Sequence, residues 1–260
     1  MNDPMTFPDR IVSRALSFGT QAAAYAEERP GYPDEAILWA LEPVRSRTAL
    51  RVLDLGAGTG KLTEALLRQA VDVVAVEPDP NMLSEFRQRF PEVKSLAGSA
   101  EKIPLPDGAV DAILVGQAMH WFDLDRAVPE MARVLTTGGV VAGLWNLDDD
   151  SVAWVRGLNE ASGGCATPAS AGWPESTRLD GRVFSVVEHA RFAHSQRRTA
   201  ESLAATLATR SGMLILSQAG REAAIIRIIE YLRSVPETAH GEFDLPLVTG
   251  VLRARLAPDR

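Results

Sequence analysis

Short apolar runs and stretches of helical spacing take turns along the first half of the chain. Val52–Leu55, Val71–Val76, Ala109–Val115 and Val140–Leu147 are rich in Val, Ile, Leu and Ala and read as strands, and Val93–Leu96 is a further element between them. Between them, apolar positions return three or four residues apart. Leu62, Ala65 and Leu66 mark one helix; Met82, Leu83, Phe86 and Phe90 mark a second. Ala127, Val128, Met131 and Leu135 mark a third over Leu124–Leu135. Asp79 followed by Pro80 reads as an N-cap with proline at the first helical position. Thr136-Thr137-Gly138-Gly139 reads as the glycine stop after the third helix. Strand alternating with helix predicts an α/β architecture, a parallel sheet covered on both faces. Residues 34–42 add a short amphipathic helix ahead of the first strand.

The rhythm changes after Leu147. Asp148-Asp149-Asp150 closes the fifth strand at the same mouth as the other strand ends, and three adjacent acids read as solvated surface. Val152–Asn159 is expected to be helical. Ser162–Pro174, rich in Gly, Ala, Ser and Pro, is expected to be a loop or lid, with Trp154 and Trp173 placed to help cover a substrate. Val183–Arg198 and Phe243–Leu256 read as strands, Ala200–Arg210 and Arg221–Leu232 as helices. No internal repeat or interdomain linker interrupts the chain.

The chemistry gathers where strands end. Val52 to Gly60 reads Val-Leu-Asp-Leu-Gly-Ala-Gly-Thr-Gly, an apolar strand ending in an acid and then a glycine-rich turn. Such a turn lets backbone approach a ligand closely, because no Cβ stands in the way. The dinucleotide fingerprint Gly-x-Gly-x-x-Gly needs its third glycine where Lys61 stands. A P-loop needs a hydroxyl after Gly60-Lys61, and Leu62 has none. Glu77 closes the second strand, the position that faces an adenosine ribose in a doubly wound sheet. Gly116 to Asp123, Gly-Gln-Ala-Met-His-Trp-Phe-Asp, puts polar and aromatic side chains at the end of the fourth strand. His120 is the candidate general base of that cluster, or a histidine that orders the loop.

The pattern Asp54-x-Gly56-x-Gly58-x-Gly60 resembles motif I of class I S-adenosylmethionine-dependent methyltransferases. Arg133-Val134-Leu135-x-x-Gly138-Gly139 resembles a phrase of the type 11 group, with Thr136-Thr137 replacing Lys-Pro on what is expected to be a surface turn. His120-Trp121-Phe122-Asp123 and Arg29-Pro30-Gly31-Tyr32-Pro33 are similar to the trans-aconitate methyltransferase-like branch. The resemblance implies a Rossmann-like, doubly wound seven-stranded sheet, mostly parallel with an antiparallel last strand and helices on both faces. It implies a disordered arm over residues 1–17 and a single domain over 18–260. Within that domain, 51–147 would form the cofactor core, and 148–240 would carry substrate-capping helical insertions. It implies S-adenosylmethionine as cofactor, held by Asp54, Gly56, Ala57, Gly58 and Gly60 of the turn and by Glu77, Pro78 and Met82 beyond the second strand. Ser99, Ala100 and Glu101 would pass the adenine edge, with Ser99 standing where many members have Asp. Gln117, Ala118 and Trp121 would meet the methionine end. Tyr25 and Arg29 would close over the cofactor, Arg29 pairing with its carboxylate.

At 260 residues, with 46% hydrophobic and 23% charged content, the composition suits one globular α/β domain. A net charge of −7 lacks the basic footprint that nucleic acid requires, so a small-molecule acceptor is expected. No apolar run is long enough to span a bilayer, and the polar start with Pro4 and Pro8 is unlike a signal peptide. The lone Cys165 excludes an internal disulfide and fits a cytoplasmic setting. No His/Cys group has metal-ligand spacing, so no metal is expected. Two alternatives stay open at this level: a nicotinamide-dependent oxidoreductase, and a non-catalytic S-adenosylmethionine-binding regulatory protein.

Overall fold

The computed structural model describes residues 29–164, 167–171, 179, 181, 183–185, 187–208, 210, 213 and 216–257. The arm over 1–17, Tyr25, Cys165 and Trp173 lie outside them.

Seven strands form one sheet in the order β3-β2-β1-β4-β5-β7-β6. They are β1 (Arg51–Leu55), β2 (Asp72–Glu77), β3 (Lys94–Ala97), β4 (Val110–Gly116), β5 (Leu135–Asp148), β6 (Glu188–Arg198) and β7 (Phe243–Arg255). Neighbouring strands from β3 to β5 pair in parallel. β7 pairs antiparallel with both β5 and β6 and is the reversed strand the sequence resemblance anticipates.

Strands buried on both faces explain the unbroken apolar runs. Leu53, Ile113, Val115, Val141 and Trp145 point to one face. Val52, Ala112, Leu114, Val140 and Leu144 point to the other. The first face packs on α4 (Leu124–Val134) through Ala127, Val128 and Met131. The second packs on α1 (Asp34–Leu41) through Ala36, Ile37 and Ala40, and on α2 (Lys61–Leu67) through Leu62, Ala65 and Leu66. The helix α3 (Pro80–Arg89) begins where the cap rules place it. The Asp79 side chain accepts from the Asn81 and Met82 amides, and Pro80 occupies the first turn.

A separate cluster caps one end of the sheet. The helices α5 (Ala153–Ala161), α6 (Ala200–Ala208) and α7 (Gln218–Ser234) bury Trp154, Leu158, Leu203, Leu207, Ile228 and Leu232 against Phe243, Leu245 and Leu247 of β7.

The structure revises the predicted junction between α4 and β5. The helix ends at Val134, and Leu135 already pairs with Val110, followed by a register shift before Ala112. Thr136-Thr137-Gly138 is therefore an irregularity inside β5 rather than a free surface turn. Arg47 holds it in place. Its guanidinium bonds the Thr136 hydroxyl and the Thr137 carbonyl and pairs with Asp111 at 2.8 Å.

Candidate functional site

The carboxyl ends of β1 and β4 open on a cleft. Asp54, Gly56, Ala57, Gly58, Gln117 and Arg29 line it, all of them predicted from sequence. Tyr32, Thr59, Lys61 and Asn146 line it as well and were not predicted. Asn146 carries no motif of its own; only the fold brings it here.

The glycine turn is shaped by its neighbours. Gly56 has φ +74°, and a Cβ there would stand 2.8 Å from Ala118 Cβ. The Gly56 and Ala57 amides both donate to the Val76 carbonyl, at 2.8 and 3.1 Å. The Gly58 amide donates to Glu77 Oε2 at 2.8 Å, and the Gly60 amide to the Ala57 carbonyl at 2.9 Å. Three of these amides are satisfied by β2 and one within the loop, so none of the four is left to cradle a phosphate. Gly60 itself backs onto Phe86 and Phe90 rather than the cleft.

Asp54 is wholly buried at the cleft. Its Oδ2 accepts from the Thr63 hydroxyl at 2.7 Å, whereas Oδ1 is buried with no partner. Burial pushes its carboxyl up to about 7, the Thr63 bond opposes that rise and the Glu77 charge adds to it. A carboxyl whose folded pKa exceeds its unfolded value stabilises the fold at low pH and loses that contribution as pH rises through the folded pKa. Wild type is therefore expected to lose stability relative to Asp54→Asn as pH rises from about 4 through 7, by up to about 4 kcal/mol. Thermal melts of both proteins across that window check the sign; parallel curves would refute it.

Glu77 holds the loop from beneath. Its second oxygen accepts from the Asp79 amide at 2.8 Å, and burial raises its pKa against these two bonds. Each carboxylate oxygen keeps a second lone pair. Met82 Sδ lies 3.7 Å from where a Gly58 Cβ would stand, so the Met82 side chain borders the turn. Pro78 is exposed at the strand tip.

The loop after β3 is tied down by side chains. Ala100 is buried in the core, and Glu101 accepts from the Asp123 amide at 3.0 Å. Ser99 contributes a backbone carbonyl to Lys102. Arg133 explains its place in the Arg-Val-Leu phrase: its guanidinium reaches the Ile103 and Leu105 carbonyls and pairs with Glu130 and Asp107. The residue fastens the loop to α4.

His120 and Trp121 share the short 3-10 turn Met119–Trp121, their rings 4.7 Å apart. Burial lowers the His120 imidazole to about 4, so it is neutral at pH 7. Trp145 Nε1 donates to His120 Nδ1 at 3.4 Å, which leaves the ring hydrogen on Nε2. Phe122 stands at the Gly56 side of the cleft. Neither His120 nor Trp121 lines the cleft itself.

Asp148 is not the solvated acid expected from its sequence neighbours. Its side chain is 3% exposed and forms a bidentate pair with Arg210 at 2.6 and 3.1 Å, while the Thr167 amide adds a third bond at 2.8 Å. Among the described residues no group of three His, Cys, Asp or Glu side chains forms a metal site.

A family model described as a methyltransferase domain, of the type 11 group, matches residues 53–143. The chain is 42% identical over 244 residues to an uncharacterized methyltransferase of Mycobacterium tuberculosis, spanning 94% of this chain and 97% of that one. The chain belongs to the class I S-adenosylmethionine-dependent methyltransferases. A solved protein described as a type II methyltransferase from Anaeromyxobacter dehalogenans is 25% identical, with a TM-score of 0.67 over 89% of this chain and 99% of that one. A Haemonchus contortus phosphoethanolamine N-methyltransferase solved with S-adenosylhomocysteine shares the fold. Its TM-score is 0.54 at 16% identity, over 98% of this chain and 61% of that one. The cofactor of this methyltransferase is S-adenosylmethionine. The cleft fits it, because the glycine turn, a buried carboxyl with one unbonded oxygen and Arg29 line one space.

Proposed function

We propose that this methyltransferase transfers a methyl group in line to a small-molecule acceptor. The observation that carries the reading is the polarity of the cleft: Asp54 and Arg29 line one space, and the Gly56, Ala57, Gly58 and Gly60 amides of the turn are already engaged. That arrangement suits the ammonium and carboxylate of an adenosyl amino acid and does not suit a pyrophosphate, which disfavours the nicotinamide alternative.

Bound there, S-adenosylmethionine supplies a methyl group already activated by its sulfonium charge. The protein's share is alignment and exclusion of water. Asp54 takes the ammonium and Arg29 the carboxylate. Glu77, steadied by two backbone amides, accepts from the ribose hydroxyls through its remaining lone pairs. Gly58 and Met82 form the adenine side, with Pro78 at its rim and the backbone of Ser99, Ala100 and Glu101 along its edge. Gln117 and Ala118 border the methyl.

The cap helices supply the acceptor pocket, since they form their own core at the end of β5 and β7. The trans-aconitate-like reading rests on two phrases, one around Arg29 in the cleft wall and one around His120 at the end of β4. The net charge of −7 and the absence, among the described residues, of any helix long and apolar enough to cross a membrane favour a small acceptor in the cytoplasm.

For His120 to take a proton it must give up the bond from Trp145. An acceptor that arrives ionised, such as a carboxylate, needs no such step. With that acceptor class, His120→Asn is expected to retain activity within about tenfold, whereas a general base contributes about 10²–10⁴. Initial rates of the two proteins decide it, and a loss beyond a hundredfold would make His120 the base.

S-adenosylmethionine is expected to raise the melting temperature while NADH leaves it unchanged, a saturating ligand at 100 times its Kd adding about 2.7 kcal/mol. Binding should tighten as pH rises through about 7, because the ammonium pairs with ionised Asp54. Stabilisation by NADH instead would overturn the reading. A labelled methyl group appearing on an acceptor panel would set aside the non-catalytic alternative.

A further inference from the structure

Asn146 is where the cofactor cleft, the sheet and the amino-terminal segment meet. Its Nδ2 donates to the Pro30 carbonyl at 3.1 Å and the Gly31 carbonyl at 2.9 Å. Both partners are acceptors only, so the amide nitrogen must face them. Oδ1 then faces Thr249, whose hydroxyl donates to it at 2.6 Å. That hydroxyl has one hydrogen. Its 3.0 Å contact with His194 Nε2 therefore runs from the imidazole N–H to the hydroxyl oxygen. The chain is directional: His194 to Thr249, Thr249 to Asn146, Asn146 to the backbone at 30–31. Meanwhile the Asn146 carbonyl accepts from Gln117 Nε2 at 3.1 Å. Register supports the geometry, since Asn146 and Thr249 face each other across β5 and β7.

Residues 29–32 form a wall of the cleft, through Arg29, Pro30 and Tyr32. This strap contains Pro30 and is followed by Pro33, neither of which has an N–H to pair with a neighbouring strand. The buried Tyr32 side chain and the strap's carbonyls hold it. Tyr32 O accepts from Arg68, a surface side chain, at 3.0 Å. Pro30 O and Gly31 O accept from Asn146, which is buried and preset from behind.

We propose that Asn146 is a positioning residue of the cofactor cleft: through the Pro30 and Gly31 carbonyls it sets the strap that carries Arg29 and Tyr32, and Thr249 with His194 fixes its rotamer. The inference rests on the cleft being the S-adenosylmethionine site.

Three variants test it. Asn146→Ala is expected to weaken S-adenosylmethionine binding in calorimetry by about ten- to a hundredfold, in keeping with two lost hydrogen bonds. Without ligand, it should also raise hydrogen exchange at the Gly31 and Tyr32 amides. Thr249→Val should move both readouts the same way by about three- to tenfold, and Thr249→Ser, which keeps the hydroxyl, should restore them. Binding within about twofold of wild type and unchanged exchange in Asn146→Ala would overturn the proposal. So would equal losses in the Val and Ser variants, which would reduce Thr249 to a packing role. If Asn146→Ala does not fold, the Val and Ser pair decides alone. If wild type does not bind S-adenosylmethionine, the cofactor reading fails, while exchange at Gly31 and Tyr32 still reports on whether Asn146 seats the strap.

Discussion

Gly58→Val is expected to weaken S-adenosylmethionine binding by at least a hundredfold while the protein still folds. Gly58 has φ +55°, and a Cβ there meets only Met82 Sδ within 4 Å, at 3.7 Å. The protein around it leaves room for the first carbon, but that room belongs to the cleft Gly58 lines. A β-branched side chain in the left-handed region costs roughly 1–3 kcal/mol, or a few degrees in melting temperature for a chain of this size. Loss of binding then comes from two sources. The side chain fills the ligand's space, and strain at this φ pulls the Gly58 amide off Glu77. Calorimetry beside a thermal melt separates them from unfolding. Undiminished affinity in a well-folded Gly58→Val protein would remove the glycine turn from the cofactor site.

Arg210→Met is expected to destabilise the fold by about 2–4 kcal/mol, because it leaves the buried Asp148 charge with only the Thr167 amide and the Arg29 charge to offset its burial. Burial by itself would raise the Asp148 carboxyl, but the Arg210 guanidinium, the Thr167 amide and the Arg29 charge outweigh it and hold the group below its ordinary value. A carboxyl lowered in this way stabilises the fold above its unfolded pKa and loses that contribution as pH falls through the folded one. The deficit of Arg210→Met should therefore narrow as pH falls through the range in which Asp148 is protonated in the variant and still ionised in wild type, since removing Arg210 raises the carboxyl. Adding Asp148→Asn should recover part of the loss at neutral pH, the signature of a coupled pair. Urea unfolding of the single and double variants measures both effects. A loss under about 1 kcal/mol would make the pair a surface contact in energetic terms.

These two residues mark the boundary of what the chain discloses on reading. The turn from Asp54 to Gly60, the Asp79 cap and the alternation of strands with helices were legible because each depends on neighbours a few residues away. Backbone conformation, capping and amphipathic period are local properties, and local chemistry writes them directly into residue order. The acidic triplet at Asp148 misled for the same reason. Its neighbours suggested solvent, but its partner Arg210 is 62 residues distant. The break at Thr136-Thr137-Gly138 likewise read as a turn until Arg47, 89 residues from Thr136, pinned it to the sheet.

The cleft divides along the same line. Asp54, Gly56 and Gly58 announce a ligand site from one continuous segment. Asn146, Thr249 and His194 come from three strands whose order in the sheet differs from their order in the chain. Which hydrogen each donates follows only once the carbonyls of Pro30 and Gly31 are in place, because the direction of a hydrogen bond depends on what stands opposite it. Residue order alone settled the strand-and-helix alternation and the shape of the glycine turn, through forces that act within a few residues. Folding in three dimensions settled which distant polar groups share a buried space, since burial makes their pairing obligatory and the chain's order is silent about it.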